Sequence, residues 1–229
     1  MTKIRLMHRD NMDFMASIPD KFYELAIVDP PYGINAPNMS ATPNQRRSGL
    51  QRLNGGGGKL KNRVLNTAKK IEWDNAIPTK EYFDHLFRIS KNQIIWGGNY
   101  FPLPPTRCII CWDKVQPWEN FSQIEMAWTS FDSPAQLFRF DNRTGGKLHP
   151  TQKPTELYQF CLSKFANKGD KILDTHGGSM SIAIACADYG FDLDLCELDA
   201  DYYRDGVNRV KNHLKQSKMF GTEIELILT

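Results

Sequence analysis

The stretch Lys171-Ile172-Leu173-Asp174-Thr175-His176-Gly177-Gly178-Ser179 is a short apolar strand that runs straight into a glycine turn. Behind it, Ile182, Ala183, Ile184, Ala185 and Cys186 predict a helix of small apolar residues, and Gly190 precedes a second strand, Leu193-Asp194-Leu195-Cys196-Glu197. A helix over about 200–215 closes the unit. Strand, turn, helix, strand is the unit from which parallel sheets are built, because a parallel pair needs a crossover and a helix supplies it.

The same alternation extends upstream. Ile4-Arg5-Leu6-Met7 predicts a strand, and Asp10 or Asn11 can cap a short helix through Met12, Met15 and Ile18. Leu25-Ala26-Ile27-Val28 is apolar at every position, as expected of a strand buried on both faces. Pro78-Thr79 opens a helix carrying Tyr82, Phe83, Leu86, Phe87 and Ile89, followed by strands over 93–96, 108–112 and 124–128. Pro154 opens another helix, ending near Lys168-Gly169. The run 223–228 reads as a strand with no assigned neighbour. The pattern predicts an α/β fold: a mixed, mostly parallel sheet with helices on both faces.

Composition narrows the class. The chain has 229 residues, 41% of them hydrophobic and 24% charged, which is enough for a sizeable core. No apolar run is long enough for a membrane span, and no secretory leader is evident, so an intracellular protein is expected. The odd cysteine count fits a reducing compartment. Cys108 and Cys111 have metal-like spacing but fall on one strand, where residues three apart face opposite ways, so no metal is expected.

The net charge of +3 conceals an asymmetry. Eight basic residues and no acid lie between Asn35 and Lys70, among them Arg46, Arg47, Arg52, Lys59, Lys61 and Arg63, which leaves the remainder net negative. Glycine-rich and without aromatics, this insertion (about 35–70) reads either as a solvated flexible loop or as a cationic arm that orders on phosphates.

Two strand ends carry chemistry, and ligands of open parallel sheets bind beyond such ends. Asp29-Pro30-Pro31-Tyr32 follows the 25–28 strand. Its prolines remove two donors and leave the Asp29 carboxylate and the Pro30 carbonyl as acceptors beside the Tyr32 ring. That array suits an amino group on a flat heterocycle; it also reads as a proline turn with a packing tyrosine. At the second end, Asp174 and the Gly177-Gly178-Ser179 turn lead into a helix N-terminus, and Glu197 ends the next strand, where an acid can accept ribose hydroxyls.

These two turns in this order, with His149-Pro150-Thr151-Gln152-Lys153-Pro154 between them, resemble the amino-methylating DNA methyltransferases of the permuted branch, phage and bacterial type. Trp73-Asp74-Asn75 and Trp96-Gly97-Gly98-Asn99-Tyr100-Phe101 carry the resemblance further, over nearly the whole chain. It implies a single Rossmann-like methyltransferase domain over 1–229 that uses S-adenosyl-L-methionine, with a small target-recognition region over about 115–148. The resemblance places Asp29, Pro30, Pro31 and Tyr32 on the target base, and Asp10 by the cofactor adenine. Asp174, His176, Gly177, Gly178 and Ser179 fall by its methionine portion, Glu197 on the ribose, and Lys153 in the cofactor-side motif. The implied partner is double-stranded DNA in the cytoplasm of a bacterial or phage-infected cell, and the short recognition region points either to a short target sequence or to help from a second subunit in a homodimer.

Aspartate at the head of the catalytic turn favours adenine N6 over cytosine N4. A methyltransferase acting on RNA or protein amides and a catalytically silent DNA-binding component are the rival readings. The cofactor turn departs from the family pattern: Thr175 stands for proline, His176 for an aromatic residue and Met180 for the last glycine. Crowding at the helix start is expected from Met180, and His176 reads either as a cofactor contact or as a packing substitute.

Overall fold

The computed structural model describes residues 1–34, 74–115, 122–141, 152–217 and 223–229. The chain divides into two compact units, one of residues 1–30 with 78–229 and one of residues 31–77. The larger unit contains β1 (Thr2–His8), α1 (Asn11–Ala16), β2 (Tyr23–Val28), α2 (Lys80–Ile89), β3 (Ser90–Trp96), β4 (Ile109–Asp113), β5 (Ile124–Thr129) and β6 (Gln136–Arg139). It continues with α3 (Thr155–Phe165), β7 (Lys171–Asp174), α4 (Ser181–Tyr189), β8 (Asp192–Glu197), α5 (Ala200–Ser217) and β9 (Ile224–Leu228). In the smaller unit, Gly33 takes φ +70° and its N–H donates to Asp74 Oδ1 at 2.8 Å.

The strands form one sheet in the order β6-β4-β5-β3-β2-β7-β8-β1-β9. Among the described residues only the β3–β5 and β4–β5 pairs are antiparallel, as the sequence pattern predicts for a mixed, mostly parallel sheet. The unassigned 223–228 run becomes β9, parallel to β1 with Ile4 opposite Leu226. β6 is a strand that the sequence pattern did not mark; it pairs with β4 through Cys111 and Leu137. Residues 124–129 and 136–139, within the stretch allotted to target recognition, are therefore strands of this sheet.

Side-chain alternation divides the sheet residues between two faces. Ile4, Leu6, Leu25, Ile27, Ile94 and Ile172 share a core with Leu157 and Leu162 of α3, Ile182 of α4 and Val210 of α5. α1 packs instead with α2, whose Tyr82, Phe83, Leu86 and Ile89 form its buried stripe. α4 is buried from Ser181 through Ala187, which explains its small residues: it is sandwiched between its neighbours.

Two helix ends fall short of the sequence expectation. α1 stops at Ala16 because the Ser17 hydroxyl donates to the Phe14 carbonyl at 2.7 Å and Pro19 disfavours a helical Ile18. α3 stops at Phe165, where Ala166 turns extended and Asn167 and Asp170 exchange hydrogen bonds in a tight turn.

Met180 does not crowd the turn. It adopts φ +55°, an uncommon conformation for a side-chain-bearing residue, and its side chain is fully buried. The space comes from α5: a Cβ at Gly206 would lie 2.7 Å from Met180 Cγ and 2.8 Å from its Sδ. Helix propensity alone favours alanine over glycine by about 1 kcal/mol, whereas overpacking a core costs about 1–3 kcal/mol. Gly206→Ala should therefore destabilise the protein in urea unfolding, and the loss should disappear in a Met180→Ala background.

Candidate active site

β2 and β7 are adjacent parallel strands whose chains leave in opposite directions, β2 leading toward β3 and β7 toward β8. Such a switch point opens a crevice beyond the strand ends. Asp29 and Pro30 follow β2 and the glycine turn follows β7, so the two motifs flank this crevice.

On the β2 side, an ion cluster holds Asp29. Lys153 Nζ lies 2.6 Å from Asp29 Oδ2 and 3.0 Å from Glu125 Oε1, and the Lys153 side chain is 3% exposed. Glu125 Oε2 lies 2.9 Å from Lys114 Nζ. The ammonium of Lys153 sits 5.5 Å from the Trp96 ring centre and that of Lys114 5.3 Å from the Trp112 ring centre, each at cation–π range. β5 runs antiparallel, so its first residues reach the edge where its neighbours end, and Glu125 pairs with Trp112 there. Lys153 comes from the segment that enters α3, on the same face as Trp96 and Trp112.

Burial opposes charge on both Lys153 and Glu125, and pairing outweighs it. Asp29 and Glu125 hold the Lys153 ammonium above the usual lysine range. Lys153 and Lys114 together pull the Glu125 carboxyl down to about 2.

On the β7 side, backbone donors converge on acids. Asp174 Oδ1 accepts from the His176 N–H at 2.9 Å. Glu197 accepts from Gly178 N–H at 2.6 Å and from Asp199 N–H at 2.8 Å, one bond on each oxygen. Asp10 caps α1, accepting at Oδ1 from Met12 and Asp13. Gly177 faces inward, since a Cβ there would collide with the Leu195 side chain. Gly178 takes φ +48°, and a Cβ there would meet no described atom within 4 Å, so the outer side of the turn is open.

Burial raises the Asp174 carboxyl to about 8, and the negative charges of Asp29 and Glu197 add to the effect. Burial also raises Glu197.

His176 is part of a hydrogen-bond chain. Asn11 Nδ2 lies 3.1 Å from His176 Nε2, Thr175 Oγ1 lies 2.9 Å from Nδ1, and Tyr82 Oη lies 2.7 Å from Thr175 Oγ1. The Tyr82 ring meets the imidazole edge to face at 5.4 Å. Both ring nitrogens thus have protein partners, and burial pushes the imidazole down to about 4, keeping it neutral.

The structure gathers Asp10, Asp174, His176, Gly177, Gly178, Ser179 and Glu197 around one turn. Lys153 belongs there only through its backbone, whose carbonyl accepts from Ser181 Oγ at 2.8 Å; its ammonium goes to Asp29. Pro31 and Tyr32 fall in the smaller unit. Arg46, Arg47, Arg52, Lys59, Lys61 and Arg63, with His149, Pro150 and Thr151, lie outside the described residues. The sequence pattern does not mark Glu125, Lys114 or Arg209, and it marks Asn11 only as a candidate helix cap. Arg209 donates to the Ser179 carbonyl at 2.6 Å and to Ser181 Oγ at 2.8 Å, bracing the start of α4. The one available signal was Glu125 itself, an acid inside the apolar strand Ile124-Glu125-Met126-Ala127-Trp128.

The Asp29-Pro30 turn precedes the glycine turn along this sheet, the order that the sequence resemblance implies. The family profile described as DNA methylase matches residues 111–208. The type II methyltransferase M2.MboI of Moraxella bovis is 22% identical, over 90% of this chain and 89% of its own. A Thermus thermophilus protein, a putative DNA modification methylase crystallised with S-adenosyl-L-methionine, superposes with a TM-score of 0.57 at 16% identity, covering 98% of each chain. The cytosine-N4-specific PvuII DNA methyltransferase superposes at 0.58 with 12% identity, over 98% of this chain and 96% of its own. Residues 111–208 are thus similar to a DNA methylase family, and the chain shares its fold with the Thermus and PvuII proteins. No helix among the described residues is long and apolar enough to cross a membrane.

The unfolded chain takes up a proton at His176 near pH 6.5 and the folded chain only near 4, so acidification through this window costs stability. Asp174 opposes that loss, because the folded chain holds its proton up to about pH 8 while the unfolded carboxyl ionises near 3.8. His176→Phe removes only the first contribution. Urea unfolding should show this variant gaining about 2 kcal/mol relative to the parent protein between pH 7 and pH 5.

Proposed function

We propose that this protein transfers a methyl group from S-adenosyl-L-methionine to the N6 amino group of adenine in double-stranded DNA. The observation that carries the reading is the pairing across the switch point of an acceptor turn, Asp29-Pro30, with an acid-lined glycine turn, Asp174 to Ser179.

The β7 side fits the cofactor chemically. Its open glycine and buried acids suit a ligand carrying positive charge and ribose hydroxyls. Asp174 would hold the methionine portion, Glu197 the ribose and Asp10 the adenine end. His176, occupied on both nitrogens, acts through the turn's shape. S-adenosyl-L-methionine supplies a methyl group bonded to a positively charged sulfur.

The chain's own task is to make a poor nucleophile attack. The adenine amino lone pair is delocalised into the ring. Asp29 and the Pro30 carbonyl accept its two hydrogens, favour a pyramidal nitrogen and aim the freed pair, which is catalysis by positioning and preorganised electrostatics. As the N–C bond forms and the methyl–sulfur bond breaks, its electron pair staying on the sulfur, the nitrogen becomes acidic and one proton would pass to the Asp29 carboxylate. Extruding the base costs a few kcal/mol, and a stack on Tyr32 returns about 1–3 kcal/mol. Arg46, Arg47, Arg52, Lys59, Lys61 and Arg63 would neutralise phosphates, making binding strongly salt-dependent.

Cytosine N4 is the second reading, supported by the similarity in fold to the PvuII enzyme. Tritium transfer from labelled cofactor to unmethylated duplex, followed by nucleoside analysis, decides between them: N6-methyladenine is expected, N4-methylcytosine would correct the base, and no transfer would overturn the assignment. Asp29→Asn should lower transfer at least about a hundredfold while cofactor affinity persists.

With its carboxyl at about 8, Asp174 is mostly protonated at pH 7 in the free protein. A cationic ligand beside it favours ionisation. Cofactor binding at pH 7 should release about one proton, seen in calorimetry as a heat that depends on the buffer's ionisation enthalpy. The release should vanish in Asp174→Asn.

A further inference from the structure

Asp29, Lys153, Glu125 and Lys114 form a row of alternating charge that starts at the acceptor turn. A lone lysine beside Asp29 would suffice to keep the carboxylate charged, but it would also make it a weak acceptor. The row does something different, because the Lys153 ammonium is shared with a second carboxylate at nearly the same range, 3.0 Å against 2.6 Å. Glu125 has no place in the acceptor array itself, and it is carried on a different strand, β5.

We propose that Lys153 is a positioning residue that holds the Asp29 carboxylate in place through Oδ2, and that Glu125, by sharing the Lys153 ammonium, sets how basic that carboxylate is. Glu125 draws part of the ammonium's field away from Asp29, leaving the carboxylate basic enough to take the proton that the nitrogen sheds. Lys114, paired to the other Glu125 oxygen, keeps Glu125 charged and so keeps it competing. The role in catalysis rests on the methyl-transfer reading above; the electrostatic coupling does not.

Other described groups feel the Asp29 charge: Asp174 on β7, Tyr82 on α2 and Tyr158 on α3. Burial raises all three, so the tyrosines remain neutral through the working range. Asp174 changes charge only near pH 8. Lys153, shared with Glu125, is the cation that the structure sets at ion-pair distance from Asp29.

The coupling has a signature that a merely structural role lacks, because the two variants act in opposite directions. Lys153→Met removes the ammonium and leaves Asp29 beside Glu125, which Lys114 still holds charged, and Glu125→Gln leaves the whole ammonium to Asp29. Full-length protein labelled with carboxyl-13C aspartate is titrated by NMR, and the Asp29 signal is assigned by its loss in Asp29→Asn. The Asp29 midpoint should rise by at least about one unit in Lys153→Met and fall in Glu125→Gln, with Lys153→Arg close to the parent protein. The acidic limb of the kcat–pH profile on DNA should move the same way. An unmoved midpoint in either folded variant, or a shift of both in one direction, overturns the proposal. If Lys153→Met fails to fold, Glu125→Gln decides by itself. If the parent protein transfers no methyl group to DNA, the proposed function falls while the titration still decides the coupling.

Discussion

The Lys153 ammonium lies almost wholly out of water, and a charge so placed survives only if oppositely charged groups surround it. Asp29, Glu125 and the Trp96 ring meet that demand. The groups come from four places far apart in sequence: the end of β2, the end of β3, the start of β5, and the entry to α3. Each element must be in register for the cluster to close. The antiparallel β5 brings Glu125 to the edge where the parallel strands end, and α3 carries Lys153 over the face that Trp96 occupies. Compensating a buried charge thus ties the acceptor turn to the architecture of half the sheet.

The opposite side of the crevice follows a different logic. Its turn is held by backbone donors and neutral groups rather than by ion pairs. Glu197 clamps Gly178, Asp174 accepts from His176, and the chain from Asn11 through His176 and Thr175 to Tyr82 fills the place that the family pattern gives to proline and an aromatic ring. The buried acids there have raised carboxyls because little nearby compensates them, which leaves that side electrostatically receptive to a cation. One side of the crevice is charge-satisfied and the other is not, and that difference distinguishes the acceptor side from the cofactor side.

Substitutions at the turn illustrate how a local departure is absorbed at a distance. Met180 stands where glycine is usual, and Gly206, two elements later, supplies the volume that its side chain takes. Similarly, Arg209 braces the Ser179 carbonyl and the Ser181 hydroxyl from α5. Neither partner can be found by inspecting the turn.

The sequence by itself determined the α/β class, most strands, and the two chemistry-bearing turns. Those features are written in local signals: unbroken apolar runs such as Leu25 to Val28, prolines that fix φ, and glycines where the chain must turn tightly. It also marked Asp10, Asp174 and Glu197, because each acid stands at the end of an apolar strand or at a helix cap. Local signals did not mark β6, a four-residue strand with mixed polarity, or place β9 beside β1. Only the tertiary structure decided that Lys153 meets Asp29, that Glu125 and Lys114 complete its row, and that Gly206 accommodates Met180. Pairing between buried charges and filling of volume depend on register and distance between elements, and neither is encoded in the neighbourhood of any single residue.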